Sequence, residues 1–174
     1  LVHAGNVSDP EIGRFYQTTN EQVNEISTTL LFFCLEVNRI EDDALEEMLQ
    51  SAALQRYQPW LRDLRAFRPH QLDDKLEELL HEKSITGRSS WIRLFDQTIA
   101  EMRFPYRGRN LTETEILDLL SDPQTKVRKE AAECFGRVLG DNIKTFSLIT
   151  NTLAKDKEIE NRWRRFERPI SSRN

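Results

Sequence analysis

The chain has 174 residues, of which 38% are hydrophobic and 31% charged, and its formal net charge at pH 7 is −4. This length allows a substantial buried core. The net negative charge disfavours a general nucleic-acid-binding protein, and no apolar run reaches the roughly 18 residues that a membrane span requires. Only 6 Gly and 6 Pro occur, which is typical of a helix-rich globular protein. We therefore expect neither nucleic acid nor a membrane among its partners.

The cysteine content indicates a reducing environment. Cys34 and Cys134 both lie in apolar patterns of helical spacing, so we predict buried free thiols, while a disulfide between them remains the alternative. No secretory signal is visible, which favours a cytoplasmic location. Because the chain begins Leu-Val-His-Ala without an initiator Met, we expect the natural N-terminus to lie further upstream.

Apolar spacing predicts helices throughout the first half of the chain. Asp9-Pro10 is typical of a helix start, and the helix is expected to continue to about Arg39 through apolar residues at helical spacing: Ile12, Phe15, Val23, Ile26, Leu30, Phe33 and Val37. Its six-residue apolar run, 30–35, is expected to belong to a core. Three shorter helices are predicted next: one capped by Asp42 or Asp43, one from Pro59 to Phe67, and one from Leu72 to about Ile85.

The second half continues the helical pattern with a single change of period. Ser89 or Ser90 is predicted to start a helix that ends near Met102, with Trp91, Leu94 and Phe95 buried on one face. Residues 102–111 alternate around Arg107-Gly108, which indicates a small β-hairpin. A capping box at 112–115 opens the next helix, and two further helices are predicted from Asp122-Pro123 to Gly140 and over about 142–166. The fold class is thus all-α, a long-helix bundle with one hairpin near 102–111, in a single helical domain over 1–174.

A zinc motif begins in this sequence but is incomplete. A metallopeptidase helix of the HExxH type places two histidines four residues apart, with the Glu as general base. His81-Glu82 begins such a motif, but position 85 is Ile, and His3 and His70 are distant in sequence. We therefore predict that this chain contains no catalytic, cofactor-binding or metal-binding residue.

Other polar patterns have structural explanations. The acidic pairs 42–43, 73–74 and 77–78 lie in helical segments where we expect them to be solvated. The basic and aromatic tract 162–168 is able to contact phosphates and stack on bases, but cations are also favoured at the C-terminus of a helix. The latter explanation is preferred. Gly87-Arg88-Ser89-Ser90 is compatible with an anion site or simply with the start of a helix.

One segment, 120–136, is similar to a single HEAT-type repeat. It has an Asp-Pro start, a Val-Arg pair and two adjacent alanines. Repeat proteins need several stacked copies to bury a core, and we find no second copy at a comparable period. A stand-alone helical protein-interaction module is therefore the alternative interpretation of the chain.

Three stretches together resemble the oligoendopeptidase F family, zinc metallopeptidases related to thimet oligopeptidase. They are Leu31–Ile40 (LFFCLEVNRI), then 57–72 continuing through Leu80-His-Glu-Lys-Ser-Ile-Thr-Gly-Arg-Ser-Ser-Trp-Ile-Arg-Leu-Phe-Asp96, and finally 145–163. They occur in the family's order and at similar spacing over nearly the whole chain.

The resemblance implies that the chain is the N-terminal, non-catalytic helical part of such an enzyme. In the family, a later catalytic domain holds one zinc through HExxH and a downstream Glu, and the helical part walls a channel that admits short peptides. No position of this chain matches a zinc ligand or the general base. The resemblance therefore implies short peptides and the missing C-terminal catalytic domain as partners, zinc only in the parent protein, and no activity of this chain alone.

Overall fold

A computed structural model describes residues 10–173; Asp9 and His3, which figure in the expectations above, lie outside this range. The described residues form a mostly helical protein with one antiparallel hairpin, as predicted. The α-helices are α1 (Pro10–Arg39), α2 (Asp42–Leu49), α3 (Gln58–Ala66), α4 (Asp74–Lys83), α5 (Arg88–Glu101), α6 (Glu113–Asp118), α7 (Thr125–Asp141) and α8 (Ile143–Trp163). The hairpin strands are β1 (Phe104–Tyr106) and β2 (Arg109–Leu111), and short 3-10 turns lie at Gln55–Tyr57, Arg68–His70, Leu119–Ser121 and Ser171–Arg173.

The helix boundaries confirm most of the predicted elements, but several predicted caps were wrong. The long first helix ends at Arg39 as expected. Glu41, rather than Asp42 or Asp43, is the N-cap residue of α2, and Gly87 precedes α5, in both cases without a capping side chain. Helix α7 passes through Gly140 by one residue, and α8 ends at Trp163 instead of near 166.

The chain folds into two compact units. Unit 1 consists of described residues 10–18 and Thr86–Asp156, and unit 2 consists of Thr19–Ile85 and residues 157–173. Helices α1 and α8 therefore each contribute residues to both units. The single helical domain over 1–174 stays a prediction.

The core of unit 1 is built around the hairpin. Phe104, Ile116 and Ala131 are each 0% exposed, and Phe104 stacks on Phe135 of α7 with a centroid distance of 5.4 Å. The strands pair Phe104 with Leu111, so both apolar side chains face the same core. The hairpin thus supplies the centre of this core although each of its strands has only three residues.

The backbone angles of the hairpin turn account for the sequence Arg107-Gly108. Arg107 and Gly108 both have positive φ, at 47° and 77°, as the two central residues of a type I′ turn require. Glycine adopts such angles without steric cost, and Arg107 is held there by Glu130 of α7, 2.6 Å from its Nη2. The predicted hairpin is therefore confirmed together with its turn.

The core of unit 2 joins the end of α1 to two short helices. Val37, Leu45, Leu49 and Leu61 form its buried centre, and Leu49 is 1% exposed. Arg65 of α3 donates to the backbone carbonyls of Val37 and Asn38 at 3.1 and 3.0 Å. A small apolar core and an arginine bridge thus hold the C-terminal end of α1.

Two expectations about burial were wrong. Leu94 and Phe95 are 41% and 44% exposed and Trp91 is only half-buried, so this face of α5 is not enclosed. Within the run 30–35 only Leu35 is buried, while Leu30, Phe32 and Phe33 are exposed. The helical spacing places these residues on one side of α1 and one side of α5. In the structure, however, no other element encloses those apolar sides.

Candidate functional site

The histidine of the incomplete zinc motif makes a structural contact. His81 lies in the last turn of α4, half-buried, and its Nδ1 is 3.1 Å from the hydroxyl oxygen of Thr28 on α1. Glu82 beside it is exposed, and Ile85 occupies the position where the motif requires a second histidine. His81 therefore connects α4 to α1, whereas Glu82 faces solvent.

His70 is also engaged in contacts within unit 2. Its Nδ1 donates a hydrogen bond to the backbone carbonyl of Arg164 at 2.8 Å, and its ring stacks on Phe166 with a centroid distance of 3.9 Å. Each of the two described histidines thus has its Nδ1 within hydrogen-bond distance of an oxygen atom on another segment, and neither has a second histidine at the helical spacing of HExxH.

The most fully built polar site among the described residues is a buried arginine cluster, defined here as Arg164, Glu77, Glu160 and His70. Arg164 is 6% exposed and Glu77 is 9% exposed. The guanidinium donates to both Glu77 carboxylate oxygens, at 2.6 and 2.9 Å, and its Nε donates to Glu160 at 2.8 Å. A further bond of 3.3 Å reaches the carbonyl of His70. Such bidentate, charge-assisted pairing is the geometry in which a buried arginine is best satisfied.

Aromatic rings cover the arginine cluster. The guanidinium carbon of Arg164 lies 5.0 Å from the centroid of Phe67, a distance at which the π face attracts a cation. Phe67 in turn contacts Phe166 at 6.0 Å and His70 at 6.4 Å. The ion pair is consequently shielded on one side by rings that come from two distant segments of the chain.

Local backbone structure positions the members of the arginine cluster. Asp73 caps α4 by accepting from the N–H of Leu76, and the N–H of Leu72 donates to Glu77 at 2.8 Å. At the other end, α8 stops after Trp163, and Arg165 adopts a positive φ of 58°. This reversal lets the N–H of Phe166 bond to the carbonyl of Asn161 at 2.9 Å. Arg164 therefore enters the core at the point where the helix ends.

The electrostatics of the arginine cluster favour its charged form. Burial by itself would raise the pKa of Glu160, but the hydrogen bond from Arg164 and the nearby Lys157 outweigh burial and hold that pKa below its ordinary value. Burial likewise opposes the charge on Arg164, yet the bonds to Glu77 and Glu160 keep its pKa above the usual range. Arg164 and Glu160 are thus both ionised near neutral pH.

This arrangement has a structural role. The donors of Arg164 are directed at two carboxylates and one carbonyl, so the guanidinium is committed to the protein and not to a ligand. We predicted that Glu77 would be solvated, and that prediction was wrong. No spacing pattern could have linked Glu77 to Arg164, because 87 residues separate them. The one sequence feature that pointed to this cluster was the basic and aromatic tract 162–168, and Arg164 of that tract is the buried arginine.

The remaining candidates lie apart from this cluster. Asp42 is exposed and pairs with Arg65 and Arg68, and the hydrogen bond from Arg65 lowers the pKa of Asp42. Both Cys34 and Cys134 are free thiols, with Cys134 buried and Cys34 half-buried. The sulfur of Cys134 lies 3.2 Å from the carbonyl of Pro105.

Within residues 10–173, no group of three or more His, Cys, Asp and Glu side chains is placed to hold a metal ion. No helix in the same range is long and apolar enough to cross a bilayer. The fold and its best-built polar site thus define an all-α protein region whose buried charges join chain segments to each other.

Comparisons with known proteins agree on one family. A family model described as "Oligopeptidase F" matches residues 36–104. Oligopeptidase PepF of Bacillus subtilis (strain 168) is 26% identical over 162 residues, which cover 86% of this chain and 24% of the relative. The crystal structure of oligoendopeptidase-F from Enterococcus faecium superposes with a TM-score of 0.80 at 17% identity, over 98% of this chain and 34% of that one.

The chain resembles the N-terminal region of the oligoendopeptidase F family in sequence and in fold. The superposition on the Enterococcus structure supports the likeness in fold. The family-model match and the alignment with PepF support the likeness in sequence. The chain spans about a quarter of PepF and about a third of the Enterococcus protein.

Proposed function

We propose that this chain is the helical substrate-channel region of an oligoendopeptidase F-like zinc metalloendopeptidase that hydrolyses short peptides. In this proposal the catalytic zinc site belongs to a C-terminal catalytic domain, and residues 1–174 alone are inactive. The parent enzyme would act in the cytoplasm. The observation that carries the proposal is the agreement between a family-model match at 36–104 and a fold match over 98% of the chain.

The described side chains support placing the zinc site elsewhere. A catalytic zinc site normally uses three protein ligands and leaves one position open for water. Within residues 10–173, no three His, Cys, Asp or Glu side chains come together in a way that could hold a metal ion. These residues do not fit a catalytic zinc, so no step of hydrolysis is assigned to them.

The alternative of a stand-alone HEAT-like interaction module is not favoured. The segment 120–136 folds as a 3-10 turn followed by α7, but α7 packs on the hairpin as well as on α6. A HEAT array would stack this helix against copies of its own repeat. The family match therefore explains the chain better than a repeat does.

The experiment compares two polypeptides. The native reading frame is extended beyond Asn174, and the longer product and residues 1–174 are each assayed with a quenched fluorescent short peptide and with a folded protein substrate. We expect the longer product to contain HExxH, to cleave only the short peptide and to lose activity with a chelator. The matched control replaces the glutamate of that HExxH by glutamine.

Contrary results would separate the peptidase assignment from the channel role. A stop codon immediately after Asn174, or a longer product without HExxH, would exclude the peptidase assignment. Cleavage of the folded protein at a rate similar to that of the peptide would leave the family in place but contradict the channel role.

A further inference from the structure

Helix α1 has an apolar stripe that faces solvent in unit 2. The stripe is defined here as Val23, Ile26, Leu30 and Phe33, which are 54%, 60%, 60% and 49% exposed. At about 100° per residue these four side chains share an arc of about 80° and extend along about 15 Å of helix. No charged residue falls on this arc between Thr19 and Val37.

Other sides of the same helix already make contacts within unit 2, and these contacts are partly polar. Leu35 and Asn38 are buried outside the stripe, and Thr28 contacts His81 of α4. Asn38 donates to Gln71 at 2.8 Å. An amphipathic helix on the surface of a complete protein normally shows the reverse arrangement, with its apolar side covered. Within the described part of the chain, the stripe is therefore the surface of α1 that a further partner would cover.

The stripe is continuous with the core of unit 2. Phe33 stacks on Trp60 of α3 at a centroid distance of 6.1 Å and an interplanar angle of 12°. Trp60 precedes the buried Leu61, and Val37 continues the arc into the same core. The exposed residues thus extend a packed apolar core to the surface, as the cut face of a larger core does.

We propose that the stripe Val23, Ile26, Leu30 and Phe33 is where the catalytic remainder of the oligoendopeptidase F polypeptide packs on this region, through an apolar surface of its own. The inference rests on the proposed function. Two observations select this occupant. The relatives of this chain are three to four times its length, so a large covalent neighbour is available in the family, and an uncharged stripe of this kind is typical of a permanent interface.

Thiol labelling tests the inference at single side chains. Tryptic cleavage leaves residue 30 and Cys34 in one peptide, so every variant carries Cys34→Ala. Leu30→Cys reports on the stripe, and the matched control Glu25→Cys lies on the exposed, charged side of the same helix. The rate of maleimide labelling is measured by mass spectrometry in residues 1–174 and in the longer polypeptide from the native reading frame.

We expect both thiols to react rapidly in residues 1–174, and only Leu30→Cys to become protected, by a factor of about ten or more, in the longer polypeptide. Equal reactivity of Leu30→Cys in both polypeptides would overturn the inference. So would protection in residues 1–174 alone that increases with protein concentration, because a second copy would then cover the stripe. A frame that ends at Asn174 would also overturn it.

The peptide assay separates this inference from the proposed function. Hydrolysis of the short peptide with Leu30→Cys fully reactive would leave the function standing and remove the interface. Protection of Leu30→Cys in a longer polypeptide that does not cleave peptides would keep the interface and remove the function.

Discussion

Arg164 is the residue on which most of the buried polar contacts of unit 2 converge. It binds Glu77, Glu160 and the carbonyl of His70, and it lies beside the ring of Phe67. A buried ion pair adds modest net stability compared with an apolar replacement, but removal of one partner leaves an uncompensated charge in the core. A single substitution of Arg164 and a paired substitution of Arg164 and Glu77 should therefore differ in their effect on stability.

Arg164→Met should destabilise the protein by about 3–5 kcal/mol, because Glu77 would remain buried without its partner. The double variant Arg164→Met with Glu77→Met should be less destabilised than the sum of the two single variants. Urea denaturation followed by circular dichroism measures all three. The matched control is Arg162→Met, whose pair with Glu158 is exposed. Additive effects would show that the two side chains are not coupled.

Acid should weaken unit 2 through Glu160. The pKa of Glu160 is lowered in the folded protein, so its contribution to stability is complete above the pKa of the unfolded chain and is lost as the pH falls through the lower, folded value. We expect the free energy of unfolding to decline from about pH 5 downwards. Glu160→Gln should flatten part of that decline, whereas the exposed Glu78→Gln should not. Identical pH profiles for the parent and Glu160→Gln would exclude this role.

At the scale of elements, the hairpin and the capping box organise unit 1. Thr112 accepts a hydrogen bond from the N–H of Glu115, and Glu115 accepts one from the N–H of Thr112 at 2.7 Å. The bond from the Thr112 backbone lowers the pKa of Glu115. Reciprocal capping satisfies two N–H groups that a helix start otherwise leaves unpaired. This capping fixes the point where β2 ends and α6 begins, and Ile116 of α6 is thereby placed in the core.

Phe104→Ala tests how far unit 1 depends on its hairpin. Phe104 is 0% exposed and stacks on Phe135, so its truncation should cost about 3–5 kcal/mol through lost burial and a cavity. Leu148→Ala on the exposed side of α8 should cost much less. Denaturant midpoints of the two variants provide the measurement. Similar midpoints would mean that the hairpin is not the centre of this core.

At the scale of the whole molecule, residues 10–173 contain no group of three or more His, Cys, Asp and Glu side chains that is placed to hold a metal ion. Purified residues 1–174 should neither retain stoichiometric zinc nor cleave a short peptide. Metal analysis after dialysis, together with a quenched fluorescent peptide, checks both points. One tightly held zinc, or turnover that is inhibited by a chelator and abolished by His81→Ala, would show that a working site is present.

The sequence alone determined the local elements of this protein. Helical apolar spacing located α1 to its last residue, the change of period located the hairpin, and Thr112 with Glu115 located the start of α6. These features depend on residues a few positions apart, whose interactions are set by backbone geometry and by hydrogen bonds within one turn. The stretches 31–40, 57–96 and 145–163 carried the resemblance to the oligoendopeptidase F family, which the comparisons support.

Only the tertiary structure decided which side of each helix is covered. Periodicity placed Leu30 and Phe33 on an apolar side of α1 and Trp91 and Phe95 on one of α5, but a side is buried only when another element packs against it. Likewise, Glu77 is buried because Arg164, 87 residues away, neutralises it. Such contacts depend on how distant segments meet in space, and a local pattern carries no information about that meeting.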